Sequence, residues 1–386
     1  MAANTRLRYG TNPHQDARVS VTSAGDPVTV RNGAPSYINL LDALNAWQLV
    51  REAATATGSA VAASFKHVSP AGVATAGELD ETAREVWGLT GSVSALTSAY
   101  ARARDADPKS SFGDVIAVSE PVDKDLAEFL ARVVADAIIA PGFEPGTMES
   151  LSRKKRGSFL VLEADPAYRP PEWEQRDVFG MLLEQQRDIA PISADLLGPS
   201  GGGELSAGVV RDALLGLVTL RYTQSNSVAL VRDGMTLGVG AGQQNRVDCV
   251  KLAGAKAAIW WLRRHRQIRQ LPPVDTMTRQ DRLNWQVRVA EGDMTPGQRA
   301  EFARLFGDAP TELAASDRAE WLAGIDEVLL ASDGFLPFRD NVDHASRFGV
   351  RHIVEPGGSS RSDDVAAACD ELGIGLVRTG LRLFHH

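Results

Sequence analysis

Val61-Ala62-Ala63-Ser64-Phe65-Lys66-His67-Val68-Ser69-Pro70-Ala71-Gly72 sets a run of small and apolar residues directly against a lysine and a histidine. Val61–Phe65 has the length and composition of a short buried strand. Lys66 and His67 follow at its end, where a cation and a titratable imidazole can both project into a cleft. Pro70 and Gly72 are expected to stop any regular continuation. Taken alone, such a pair is a solvated lysine and a hydrogen-bonded loop histidine. What overturns that view lies elsewhere in the chain.

Upstream, Leu40–Val50 carries helical apolar spacing with Asn39 as a plausible N-cap and Trp47 in the core. Downstream, helices are expected over residues 78–87 and 93–104. The polar loop Lys109-Ser110-Ser111-Phe112-Gly113-Asp114 then feeds a strand at Val115–Val118. A helix over Lys124–Val134 leads to Asp136, a strand at Ala137–Ala140 and the turn Pro141-Gly142. Strands alternating with helices through residue 165 describe an α/β layer structure. The basic run Arg153–Arg156 reads as a solvated helix end, Asp165–Pro171 as a linker and Gly198–Gly203 as a flexible loop.

The second half opens with helical spacing from Leu205 to Tyr222 and the polar cluster Thr223-Gln224-Ser225-Asn226-Ser227. Val228–Val231 and Thr236–Val239 flank Asp233-Gly234, a hairpin signal. Gly238–Arg246 is no dinucleotide fingerprint, because Gln243 stands where that motif needs glycine. It reads as a loop feeding the N-terminus of a helix over Val247–Arg264. Residues 265–325 are helical and charged, as an inserted module would be, and the α/β pattern resumes at Glu327.

At 386 residues, two or more units are expected. Hydrophobic residues at 44% and charged residues at 23% suit a soluble globular protein. The net charge of −8 argues against a nucleic-acid surface. Cys249 and Cys369 lack metal-ligand spacing and form no disulfide framework, as in a reducing cytoplasm. The N-terminus has no apolar leader, and no run approaches the ~18 apolar residues of a membrane span. A cytoplasmic protein is expected, with no membrane partner.

Leu7-Arg8-Tyr9-Gly10, Asn12–Gln15, Ser64–Gly72, Ser110–Asp114, Ile138–Gly142, Tyr222–Val228, Gly240–Gln244, Phe338–Asp343 and Leu381–His386 occur in order along nearly the whole chain. Together they closely resemble the transformylase region of the bifunctional AICAR formyltransferase/IMP cyclohydrolase family. Only six residues precede Leu7, so the resemblance implies a stand-alone transformylase whose product goes to a separate IMP cyclohydrolase.

The resemblance implies two cytidine-deaminase-like α/β/α sandwich subdomains, at 1–165 and at 166–264 with 326–386, plus a helical insertion at 265–325. It implies a homodimer with shared active sites. The reaction implied moves formyl from 10-formyltetrahydrofolate to the 5-amino group of AICAR. Lys66, His67 and Asn226 would be catalytic. Arg8, Tyr9, Gly113, Asp136, Arg246, Phe335 and Arg382 would join His67 and Asn226 in binding AICAR. Val247, Asp340, Ser359 and Ser360, with Asn284 and Lys109, would contact the folate. A potassium ion is implied near Thr223, Ser225, Ser227 and Asp333. The zinc deaminases of that fold use a cysteine motif that Cys249 and Cys369 do not match, so no zinc is expected. The rival expectations are an inactive purine-nucleotide-binding paralogue and a formyltransferase for a related aminoimidazole.

Overall fold

The computed structural model describes residues 4–22, 25–198 and 205–386. The loop expected at Gly198–Gly203 lies outside the described residues from position 199 onward, as do residues 1–3.

A short antiparallel pair, β1 (Thr5–Arg6) and β2 (Arg18–Val19), comes first. Then follow β3 (Val28–Asn32), α1 (Tyr37–Thr57), β4 (Val61–Lys66), β5 (Ser69–Thr75), α2 (Glu81–Trp87) and α3 (Ala95–Ala106). The first half ends with β6 (Asp114–Val118), α4 (Lys124–Ala131), β7 (Ala135–Ala140), α5 (Thr147–Arg153) and β8 (Leu160–Ala164). β9 (Trp173–Val178) and β10 (Met181–Gln186) form a separate hairpin. The second half begins with α6 (Ala207–Arg221), β11 (Val228–Arg232), β12 (Met235–Gly240) and α7 (Arg246–Leu262). Four helices follow: α8 (Arg266–Arg269), α9 (Arg279–Glu291), α10 (Pro296–Phe306) and α11 (Ala315–Leu322). The chain closes with β13 (Val328–Ser332), α12 (Asp340–Ser346), β14 (Val350–Glu355), α13 (Ser362–Leu372) and β15 (Gly375–Arg378).

Eleven strands make one mixed sheet, in the order β15-β14-β13-β11-β12-β5-β4-β6-β7-β8-β3. The α/β class expected from the alternation of elements is therefore what the chain adopts. Period-2 alternation divides the core. Ala63 and Phe65 of β4 face α1 and α6, whereas Ala62 joins α3 and α4, and Leu230 and Leu237 join α7. α8–α11 enclose a small core of their own around Trp285, Phe302 and Phe306. No helix among the described residues is long and apolar enough to cross a membrane.

α1 starts where Ser36 and Asn39 cap each other reciprocally, so Asn39 is the third helical residue and Ser36 the N-cap. Its buried Leu40, Ala43, Ala46, Trp47 and Val50 recur at helical spacing and lie on the sheet.

Pro70 and Gly72 do not end the regular structure: both lie within β5. Pro70 sits at the start of that strand opposite Phe65, beside a register shift, which is where a sheet tolerates proline. Gly72 is buried under α3, and a Cβ there would come 2.0 Å from the Ala103 carbonyl oxygen. Glycine at this position marks close helix–sheet approach. Between the linker expected at Asp165–Pro171 and the loop expected at Gly198–Gly203 lies the β9–β10 hairpin, whose side chains are almost all exposed and so lack the buried alternation that announces a strand.

The ladders set the C-terminal end of β4 beside the N-terminal ends of β5, β6 and β7. The N-terminal end of β11 and the C-terminal ends of β12, β13, β14 and β15 open on the same edge. The polar loops at 66–69, 107–113, 222–227, 241–245, 333–339 and 356–361 therefore all open on one edge of the sheet.

Gly72→Ala is expected to cost about 1–3 kcal/mol of folding stability, as overpacking does. Urea unfolding with an unchanged midpoint would show that α3 does not lie against β5 as described.

Candidate active site

β4 delivers Lys66 half-buried and His67 exposed at the loop-bearing edge. His67 and Val68 alone connect β4 to β5, with φ of 53° and 59°. Asp42 of α1, itself buried, accepts the Val68 amide at 2.6 Å. Burial raises the Asp42 carboxyl above its usual range, against the opposing pull of the Val68 amide and the His67 charge. The Lys66 ammonium donates to the Phe112 carbonyl, which ties it to the loop ahead of β6.

Gly113 ends that loop with φ of 72°. A Cβ on it would stand 3.7 Å from the Asp136 carboxylate, so the two are neighbours. Asp136 in turn accepts Lys155 Nζ at 2.6 Å. The basic run is thus not simply a solvated helix end. Lys155 and Arg156, with φ of 53° and 55°, turn the chain back. Lys154 donates to the Val133 carbonyl, and burial holds its ammonium down to about 8.

Arg8 is exposed, with its guanidinium 5.3 Å from the Tyr9 ring centroid, and donates to Asn39 Oδ1 at 3.2 Å. The start of α1 therefore anchors Arg8, and the same helix reaches the His67 turn through Asp42.

The second cluster surrounds a fully buried Asp333. Its Oδ2 accepts from Ser225 Oγ at 2.6 Å and from Ser227 N and Oγ, both at 2.9 Å. Its Oδ1 takes Arg246 Nη1. Arg246 Nη2 donates to Asn226 Oδ1 at 2.8 Å, while Asn226 Nδ2 donates to the carbonyls of Gln243 at 2.9 Å and Gln244 at 3.2 Å. The asparagine amide is thus locked, with one lone pair on Oδ1 left over. Cys249 lies beneath, donating to the Asn226 carbonyl, and burial pushes its thiol up to about 11. Thr223 donates its hydroxyl to the Thr219 carbonyl.

The C-terminal segment closes this cluster. Leu383 N donates to the Asp333 carbonyl, while Ser225 N donates to the His385 carbonyl and His385 N to Ser225 Oγ. Arg382 lies 4.7 Å from the Phe384 ring centroid, Arg246 lies 5.8 Å from it, and Phe335, which follows the Gly334 packed against Arg246 and Phe384, is exposed. Gln224 N reaches Ser69 Oγ at 3.4 Å and joins the two clusters.

Val247 follows Arg246 at the start of α7, Asp340 begins α12, and Ser359 and Ser360 occupy the loop after β14, all at this edge. Lys109 pairs with Glu291 of α9 at 3.1 Å, and Asn284 lies on α9 itself, where it accepts from Gln280 of the same helix. Among the described residues no group of three His, Cys, Asp or Glu is placed to hold a metal ion. Asp42, Asn39 and Lys155 were not read as site residues. The one signal for Asp42 was a carboxylate on the apolar stripe of a helix.

Residues 1–256 match the family described as the AICARFT/IMPCHase bienzyme. The chain belongs to that family. It is 32% identical over 387 residues to the bifunctional purine biosynthesis protein PurH of Roseobacter denitrificans. It is 30% identical over 388 residues to the protein of the same name from a Ruegeria species. Each alignment covers 98% of this chain and 59% of the relative, so the chain spans about three fifths of the length of these curated relatives.

Arg246→Ala would leave the Asp333 carboxylate buried without its counter-charge, at a cost of about 3–5 kcal/mol. Chemical denaturation measures this without reference to activity, and a loss below 1 kcal/mol would mean that Asp333 is not desolvated as described.

Proposed function

We propose that the chain is an AICAR formyltransferase, moving formyl from 10-formyltetrahydrofolate to the 5-amino group of AICAR to give FAICAR and tetrahydrofolate in purine synthesis. The observation that carries this is His67, exposed and beside Lys66, on the sheet edge where the family's motif loops gather. The 5-amino group is a weak nucleophile, because its lone pair is delocalised into the ring and carboxamide. It loses a proton as its nitrogen attacks the formyl carbon, and His67 takes that proton, a role worth typically ~10²–10⁴-fold. Lys66 stabilises the oxyanion and relays a proton to the departing folate nitrogen. Asn226 uses the spare lone pair of Oδ1 to orient the reacting groups.

Arg8 and Arg382 grip the phosphate. Tyr9, Gly113, Asp136, Arg246 and Phe335 complete the AICAR subsite, with His67 and Asn226 also in contact. Val247, Asp340, Ser359 and Ser360 serve the folate. Lys109, which pairs with Glu291, and Asn284 would join them. A potassium ion would be held by the oxygens of Thr223, Ser225, Ser227 and Asp333, a hard-oxygen set suited to such a cation, and its part would be structural. FAICAR is the substrate of a ring-closing cyclohydrolase, the next reaction in the sequence.

We further propose that the two halves of the sheet correspond to cytidine-deaminase-like subdomains at 1–165 and at 166–264 with 326–386, with 265–325 inserted, and that the protein works in the cytoplasm as a homodimer with shared sites. The β9–β10 arm supports the dimer: Phe179, Met181, Leu182 and Leu183 are each more than half exposed, an apolar surface that a second copy would cover.

Purified protein supplied with AICAR and 10-formyltetrahydrofolate should release tetrahydrofolate. Formylation of another aminoimidazole with none of AICAR would overturn the substrate. His67→Ala should abolish turnover while changing AICAR binding by only about 1–2 kcal/mol; near-normal activity would remove His67 as the base. Size measurement should find a dimer, and an active monomer would contradict shared sites.

A further inference from the structure

We infer that Asp42 is a positioning residue, which holds the imidazole of His67 at the reaction centre by pinning the backbone of the His67–Val68 turn. The inference rests on the formyltransfer proposed above.

A two-residue hairpin connection with positive φ at both positions normally takes Asn-Gly or a similar pair. Here the residues are His67 at 53° and Val68 at 59°. A β-branched valine is an outlier in that region, and each such residue persists only where its surroundings over-determine it. The restraint visible at this turn is Asp42. Its Oδ1 accepts the Val68 amide at 2.6 Å, and the His67 amide also faces the carboxylate. Successive left-handed residues aim their amides to one side and form a concavity for an anion, and the Asp42 side chain fills it.

Asp42 can do this because α1 is itself anchored. The helix is capped at Ser36 and Asn39 and buried along Leu40, Ala43, Ala46 and Trp47. Asp42 is 6% exposed, so its side chain is not free to leave. Asn39, on the same helix, holds Arg8. One rigid element thereby fixes the distance between a phosphate-binding arginine and the base. Displacing a reacting group by about 1 Å can cost on the order of 10²-fold.

The test compares Asp42→Ala, Asp42→Asn and the double variant Asp42→Ala/Val68→Gly, with thermal unfolding of each. Asp42→Ala is expected to lower kcat by about 10- to 100-fold while leaving KM for AICAR within about twofold. Asp42→Asn should recover most of that loss, because its carbonyl oxygen can accept the same amides. Glycine is at ease at positive φ, so the double variant should regain stability but keep the low kcat of Asp42→Ala. Normal kcat in Asp42→Ala would overturn the inference. So would kcat returning together with stability in the double variant, or an asparagine variant no better than alanine. If the wild-type protein formylates nothing, the proposed function fails by itself. The turn is then judged by a crystal structure of Asp42→Ala, where unchanged positive φ at His67 and Val68 would overturn the pinning role.

Discussion

β5, the second strand of the antiparallel β4–β5 hairpin, meets β12 and so makes one sheet out of two half-sheets. β4 ladders with β6, and β5 meets β12 at a single register pair, Met235 with Ala74. Beyond it the ladder lapses and side chains take over. Thr236 Oγ1 accepts from Val73 N and donates to the Val73 carbonyl, while Arg102 spans the seam to the carbonyls of Thr75 and Asp233. The turn of this same hairpin carries Lys66 and His67. The joint between the halves and the Lys66–His67 turn thus share one hairpin, and the Gln224–Ser69 contact brings the second half to that turn.

Buried acids do much of the positioning around that unit. Asp114 accepts from Ser64 at 2.7 Å, Tyr100 at 3.0 Å and Arg104 at 3.0 Å, fixing β4 against α3 and the start of β6. Burial alone would raise the Asp105 carboxyl, yet the guanidinium groups of Arg263 and Arg264 hold it at about 2 and pin α7 to α3. Asp333 does the same for the 222–227 loop through Arg246. Burying such pairs brings little net stability. Each ties a strand end, helix end or loop to a neighbouring element of the fold.

The α/β class, the strand at Val61–Phe65 and the polar loops were legible because periodicity and turn residues are local signals. β5 was not, since Pro70 and Gly72 act as breakers only where nothing else compensates; here a register shift absorbs the proline and close approach of α3 requires the glycine. The β9–β10 arm escaped because its strands bury no face. Within the candidate site, the ordered motifs point to Lys66, His67 and Asn226, each of which lies in a polar loop or at its boundary. Asp42 stayed hidden because its partner, the Val68 amide, is 26 residues away and belongs to the backbone.

The two clusters hold a side chain in place in different ways. At Asn226, every amide hydrogen is committed to a carbonyl and Oδ1 is already bound by Arg246, so the side chain cannot reorient without breaking a network that ends in a buried carboxylate. At His67 the ring is exposed, and the restraint falls on the peptide units that carry it. The base proposed at His67 would have to stay open to substrate and still keep its place. Fixing the backbone in a conformation its residues do not favour leaves the imidazole nitrogens free, which a hydrogen bond to the ring itself would not.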